Sequence, residues 1–484
     1  MYKESLGTVR GWFSGVWSGQ SYIALTEDEE NRSAELPLDG NEAMPSSPRT
    51  RSYDTSRNSK NAAQRMLWFI LPSFLARAFG HIDEDGAIPT ANATSYLNGL
   101  RGIASFIVTI GHNTDDFLFI YRGWGETAED NYMMQLPFIR LTYCGIYMVA
   151  IFFVISGFAL TYSPLKKSHA GQSVDAIGSL PSSIFRRPFR LFMPIVPILA
   201  VTSILIHYKG FYSPPSSQPH EPVANGFWSQ IIFIWHTLIT IITQSTTATI
   251  MPQGWTLSLE YQGSLLVFMC CMAFARASAL TRILCVLGLL IFFLNLSMWQ
   301  PCLFLAGMIL ADVRHARQKL PSLTWAASKA VSVASWLLLV VALFLGGWPT
   351  EGNGYAATGY SWFTWVPTAG IDPTRFFPSI SAIALVTALE NLPILQRGLN
   401  SRWVLYLGEI SYGLYLVHWV VGRSFITWGL KYKMLGAGYS MAVAWSVTFV
   451  IMLVLSIWLG DVHWRLVDQK SVRFSHWLSK RFGV

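Results

Sequence analysis

An all-helical, polytopic transmembrane bundle is the fold class this sequence predicts, and three observations predict it. Of 484 residues, 52% are hydrophobic and 13% charged, whereas soluble domains carry about a quarter charged residues, so the chain has too little polar surface to dissolve. The apolar residues come in blocks of roughly 15 to 25, the length a helix needs to cross a bilayer. Lys and Arg sit in short stretches beside those blocks, where they orient the crossings through the positive-inside preference.

The formal charge of +8 does not point to nucleic acid, because the cations form no single basic face. Cys144, Cys270, Cys271, Cys285 and Cys302 lie in or beside apolar segments without metal-ligand spacing and read as packing residues. No metal-ligand cluster and no nucleotide-binding Gly motif is expected.

Residues 1–65 are polar and rich in Ser, Asn, Glu and Arg, the composition of a disordered tail; Arg49, Arg51, Arg57, Lys60 and Arg65 favour a cytoplasmic N-terminus. Residues 66–90 open with a short apolar stretch carrying Arg77, the pattern of an interfacial amphipathic helix followed by a linker. Spanning candidates follow at about 96–119, 142–163, 189–207, 254–275, 283–298, 300–313, 331–347, 376–392, 403–426 and 438–460, about ten in all. The apolar block 227–242 is a further candidate that breaks the parity of the loop charges. Lys166, Lys167, Arg186, Arg187 and Arg190 place one loop in the cytoplasm; Arg314 to Lys329, Arg397, Arg402 and Arg465 to Arg481 place three more chain segments there, including a basic C-terminal tail at 471–484. These agree only if 227–242 does not cross fully, and then Lys431 and Lys433 lie outside. The loop 113–140 becomes external and acidic. The loop 346–375 becomes external and aromatic, readable as a ligand lid or an interfacial aromatic belt.

Ionisable residues at membrane depth are costly and usually face a cavity, so they mark candidate chemistry. Arg101 and His112 are about 16 Å apart along a helix and, at about three turns, on nearly one face; in a crossing over 96–119, His112 reaches mid-bilayer depth. Arg187 and Arg190 sit beside a crossing, where guanidinium pairs suit phosphate groups; lipid anchoring is the plainer reading. Glu260, one turn behind Trp255, is either a buried acid or half of a structural ion pair. Tyr412, Tyr415 and His418 follow at spacings of three, open to a ligand role or to ordinary interhelical hydrogen bonds.

Taken in order, Arg101 with His112, Phe153-Val154-Ile155-Ser156-Gly157-Phe158, Arg186-Arg187-Pro188-Phe189-Arg190-Leu191, Trp255-Thr256-Leu257-Ser258-Leu259-Glu260 and Leu407 to His418 resemble the acyltransferase 3 family of multi-pass membrane O-acyltransferases. Phe304-Leu305-Ala306-Gly307-Met308 and Leu466-Val467-Asp468 add weaker matches, and Asp468-Gln469-Lys470 departs from the family's usual Glu-x-Pro. The resemblance covers about residues 95–470, making 91–470 the expected membrane acyltransferase domain. It implies transfer of an acyl group, commonly acetyl, from acyl-CoA as co-substrate, with no permanently bound cofactor. His112 would then be the catalytic histidine, with Arg101 and Glu260 beside it. Arg187 and Arg190 would hold CoA phosphates, and Trp255, Tyr412, Tyr415 and His418 would contact the acceptor. The stand-alone domain and long polar tail resemble fungal members that acylate small hydroxylated metabolites, an analogy that points to secondary metabolism in the endoplasmic reticulum or another endomembrane. Acylation of a carbohydrate or cell-wall polysaccharide is the alternative, as is the plasma membrane for location. A proton-coupled transporter is the competing reading from another class.

Overall fold

The computed structural model describes residues 68, 70–79, 91–114, 116–208, 226–245, 248, 250–321 and 324–484; the polar tail 1–65 lies outside them. The chain divides into two units, Met1–Pro89 and Thr90–Val484. In the first, a short helix α1 covers Ser73–Ala78.

The second unit is all-helical among the described residues: α2 (Ser95–Gly111), α3 (Gly145–His169), α4 (Ser173–Phe192), α5 (Ile195–His207), α6 (Phe227–Thr243), α7 (Trp255–Ala273), α8 (Ala279–Asn295), α9 (Trp299–Gln318), α10 (Trp325–Gly346), α11 (Pro373–Glu390), α12 (Pro393–Leu399), α13 (Arg402–Arg423), α14 (Leu430–Gly436), α15 (Met441–His463) and α16 (Gln469–Arg481). Every apolar block from 96 onward overlaps one or two of these helices, 189–207 falling across the end of α4 and all of α5. Among the described residues, six stretches are long and apolar enough to cross a membrane: Gly145–His169, Ser173–His207, Pro252–Ala273, Trp325–Gly346, Arg402–Arg423 and Met441–Phe482. The pair α11 and α12, bent by 103°, makes a seventh if taken as one span. Helices α2, α6 and α8 have 17 residues each, and α9 carries Asp312, Arg314 and Arg317 in its last turns, so these fall short on length or composition.

Small residues bring the helices together, as is usual where lipid supplies no hydrophobic drive between them. α2 and α13 run parallel. A methyl group built on Gly102 would come within 2.4 Å of the Gly408 nitrogen, and one on Gly408 within 2.5 Å of the Asn98 oxygen. α3 and α9 interlock the same way: Gly157 lies against the Phe304 carbonyl and Gly307 against the Val154 carbonyl. The Ser-Gly and Ala-Gly motifs of the sequence are therefore packing devices.

At one end of the bundle the segments 113–140 and 346–375 form a joint cap. Buried Arg140 donates to the carbonyls of Gly347 (2.6 Å), Arg122 (2.7 Å) and Gln135, and Thr358 N–H donates to Trp124 O (2.8 Å). Tyr360 is buried with its hydroxyl on the carbonyls of Phe344 and Gly347, while Trp362 and Trp365 are each 78% exposed. Lys431 meets Asp116 at 2.5 Å on this end, which gives a lysine on the acidic side its counter-charge. The opposite end gathers the cations, including Arg314 on Glu390 (2.9 Å) and the Arg282–Asp312–His169 network. There α16 docks on α4, burying Ser471, Val472, Ser475 and Ser479, so the basic segment from 471 onward is helical and packed.

Helix α6 exposes most of its apolar surface, with only Ile241 buried. Near its start Gln230 accepts from Ser203, in the last turns of α5 (2.5 Å); near its end Ile241 packs on Gly254 beside the first residue of α7.

Candidate active site

The site lies along the α2–α13 seam. The crossing expected over 96–119 ends as a helix at Gly111, because Thr114 Oγ1 turns back onto the Gly111 carbonyl (2.7 Å) and the polar residues beyond leave the helix. His112 is consequently the C-cap of α2, at the end of the helix instead of midway along a longer one. Its ring stacks on His418 of α13, with centroids 5.2 Å apart and planes at 28°. His418 is buried, and among the described residues neither of its ring nitrogens has a hydrogen-bond partner. An orphaned buried imidazole is expensive unless a ligand or water completes it.

Arg101 faces the same helix lower down: its Nη2 donates to Gly408 O (2.9 Å), and its buried Nε–H has no acceptor among the described residues. Arg101 and His112 thus share the seam as the periodicity predicts, but about 16 Å of helix separates them, too far to act on one reacting atom. Glu409, Asp468 and Glu260 lie within electrostatic reach of Arg101, as does Arg187.

Of the remaining predicted residues, Arg187 and Glu260 meet each other at 2.5 Å, and Arg187 Nε donates to Ser264 Oγ (2.9 Å). That is the ion-pair reading of Glu260, and it leaves Arg187 partly committed inside the protein. Arg190 lies in the field of Asp468. Tyr412 donates to Leu191 O, and Tyr415 to Gln253 O (2.8 Å) while sharing a hydrogen bond with Thr256 (2.7 Å); both hydroxyls tie helices together. Tyr415 also borders His418, at 5.7 Å between rings. Trp255 carries the Arg375 guanidinium over its face at 5.4 Å.

Three further members of this group had no role assigned from the sequence. Asp468 joins Arg190 and Arg101 although it breaks the family's terminal pattern. Glu409 accepts from Asn98 across the seam (2.7 Å), a pairing that its place in an otherwise apolar helix signals. Gln253 donates to Leu416 O (3.1 Å) and leaves its buried Oε1 without a partner among the described residues.

A helical bundle with long apolar spans and polar groups along an internal seam defines an integral membrane protein. The sequence profile of the acyltransferase domain matches residues 94–462, and the chain belongs to that family of enzymes. It is 30% identical over 472 residues to O-acetyltransferase PaAT-1 of Phomopsis amygdali, covering 87% of this chain and 90% of that protein. It is 23% identical over 432 residues to acyltransferase R4 of Phoma sp. (strain ATCC 20986 / MF5453), covering 75% and 91%. Acyltransferase clz18 of Cochliobolus lunatus is 21% identical over 443 residues, covering 78% and 93%. No solved structure matches.

Proposed function

We propose that this membrane acyltransferase moves an acetyl group from acetyl-CoA to a hydroxyl of a small metabolite, with His112 as the base. The observation that carries this reading is the seam itself. A stacked imidazole pair stands at one end and the under-used Arg101 guanidinium about 16 Å away, a layout that suits an elongated, anionic donor laid along α2 and α13. The printed name of the 30% identical relative, an O-acetyltransferase, supports the acyl group and the acceptor atom.

In the reaction His112 takes the proton from the acceptor hydroxyl as its oxygen attacks the thioester carbonyl. The C–O bond forms, the C–S bond breaks, and the departing thiolate recovers the proton from the imidazolium. A base of this kind contributes about 10²–10⁴ in rate. The carbonyl end of α2 favours positive charge on that ring while it holds the proton. Arg101 holds the donor, with Arg190 and, once released from Glu260, Arg187 contacting its phosphates; fixing such a substrate in line supplies several kcal/mol, within the ~7–11 kcal/mol available to full orientation. His418 and Gln253 offer their unfilled hydrogen-bonding atoms to the acceptor.

The same reading takes the chain as about ten crossings with both termini cytoplasmic in an endomembrane, α6 starting and ending against the capped half of the bundle without crossing. The loop charges support that reading.

The deciding experiment supplies purified protein in detergent with labelled acetyl-CoA and a panel of hydroxylated small molecules. Label should pass to an acceptor, both substrates being required together, and His112→Ala should remain folded with turnover near zero. Normal turnover in that variant removes His112 from the mechanism. Ping-pong kinetics would replace direct transfer by an acyl-histidine intermediate.

A further inference from the structure

Arg375, in the first turn of α11, lies over the opening residues of two other helices. Its guanidinium carbon stands 5.4 Å from the ring centre of Trp255, which begins α7, and 5.6 Å from that of Trp299, which begins α9. Among the described residues this guanidinium makes no hydrogen bond and no ion pair, and its Nη1 is buried without a partner. Asp372 is within electrostatic reach, but its Oδ1 caps α11, accepting from the Thr374 N–H (2.7 Å) and hydroxyl (2.6 Å). A cation drawn partly out of water without a counter-ion is costly. The two indole faces offset some of that cost by cation–π attraction, which spends none of the guanidinium's five N–H donors.

The position is beside the histidine pair. Gln253, two residues ahead of Trp255, accepts through its carbonyl from the Tyr415 hydroxyl (2.8 Å). The Tyr415 ring lies 5.7 Å from that of His418, which stacks on His112. Cys144 gives a second route. It is within electrostatic reach of Arg375, and it follows Tyr143, whose carbonyl oxygen lies 2.6 Å from a methyl built on Gly111, the chain neighbour of His112. Arg375 therefore belongs to the His112 end of the seam, about 16 Å of helix from Arg101.

We propose that Arg375 binds a carboxylate of the acceptor, so that the hydroxyl being acylated belongs to a hydroxy acid; this rests on the reading of His112 as the base. The planar guanidinium fork matches the two oxygens of a carboxylate, and one positive charge offsets one negative. A phosphate monoester, at about −1.5 to −2 near neutral pH, would keep uncompensated charge beside the tryptophans. Trp255 and Trp299 present aromatic surface to the apolar body of such an acid next to the charge that holds its carboxylate.

The test uses the full chain in uncharged detergent at neutral pH with two matched pairs, ω-hydroxydodecanoic acid and para-hydroxyphenylpropanoic acid, each against its methyl ester. Binding is read by thermal unfolding during titration without donor, and transfer by KM and kcat with labelled acetyl-CoA. Arg375→Gln and Arg375→Lys are compared with the parent, so that micelle partitioning of the esters cancels. The parent should favour at least one acid over its ester by about tenfold or more, the scale of hydrogen bonds to a charged group. Arg375→Gln should bring that ratio to about one through the KM of the acid, with the KM of acetyl-CoA unchanged, and Arg375→Lys should restore part of it. Equal binding of acid and ester by the parent in both pairs, or an acid preference that persists in Arg375→Gln, overturns the assignment whether or not transfer occurs. Acid-selective binding that depends on Arg375, with no transfer in any arm, supports the carboxylate site and counts against the acyl-transfer reading alone.

Discussion

Gly102→Ala tests whether the α2–α13 seam sets the chemistry. A Cβ at this position would lie 2.4 Å from the Gly408 nitrogen and 2.5 Å from the Leu407 carbonyl carbon, both backbone atoms with no rotamer to yield. Restoring an ordinary contact of 3.4 Å requires the helices to part by about 1 Å. The His112–His418 stack and the Arg101 hydrogen bond to Gly408 O both bridge that gap, so the imidazole pair and the Arg101 guanidinium shift together. A misplacement of about 1 Å can cost about 100-fold in rate. Stability should change less, because overpacking costs about 1–3 kcal/mol and removing a helix-interior glycine returns about 1 kcal/mol. Turnover of labelled acetyl-CoA, with gel filtration and thermal unfolding as controls, reads both effects. Gly288→Ala, whose added methyl meets nothing within 4 Å, should leave activity intact. Folded Gly102→Ala protein that turns over within about threefold of the parent would refute the reasoning, since the expected loss is about 100-fold.

His418→Phe keeps a ring against His112 but removes two nitrogens. If those serve the acceptor, turnover should fall about tenfold or more, matching the ~1–3 kcal/mol cost of deleting a buried hydrogen-bond partner; unchanged kinetics would make His418 a packing residue. Lys431→Met strands Asp116 and should lower stability by about 2 kcal/mol, below the 3–5 kcal/mol of a fully dry pair because Asp116 keeps some water. The double variant with Asp116→Asn should recover part of that loss in a melting experiment. Asp130 gives a pH test. Burial alone would raise its carboxyl, but hydrogen bonds from Thr127 and Gln135 outweigh it and hold the group below the usual carboxylate range. A lowered folded value means its stabilisation is complete above about pH 3.9 and is lost as pH falls through that lower value. Hydrogen exchange in the 113–140 segment should therefore accelerate at acidic pH in the parent and depend less on pH in Asp130→Asn.

The helices were legible because a bilayer demands long apolar runs, and each such run folded as a helix. Their ends were less so: α2 stops at Gly111 because one threonine hydroxyl folds back on a carbonyl, a detail that hydropathy averages away. Within the site, the shared face of Arg101 and His112 follows from helical periodicity alone. Partners more distant along the chain do not. The Arg187–Glu260 pair joins residues 73 apart and Lys431–Asp116 residues 315 apart, and nothing in one sequence states which carboxylate meets which cation. Asp468 was hidden for a different reason, since a departure from the family's pattern removed the signal while three-dimensional proximity to Arg190 kept the charge in place.

The seam also imposes an order on synthesis. Ser105 donates to the carbonyl of Ser411, 306 residues later (2.8 Å), so α2 must enter the membrane well before its partner exists. At about 5–20 residues per second, that wait is roughly 15–60 s. During it, Arg101, Asn98 and His112 stand in or beside a nascent bundle without α13 to cover them, a costly state for polar groups in lipid. Until α13 arrives, the early helix α3, which already packs on α2, is the neighbour at hand to cover those groups.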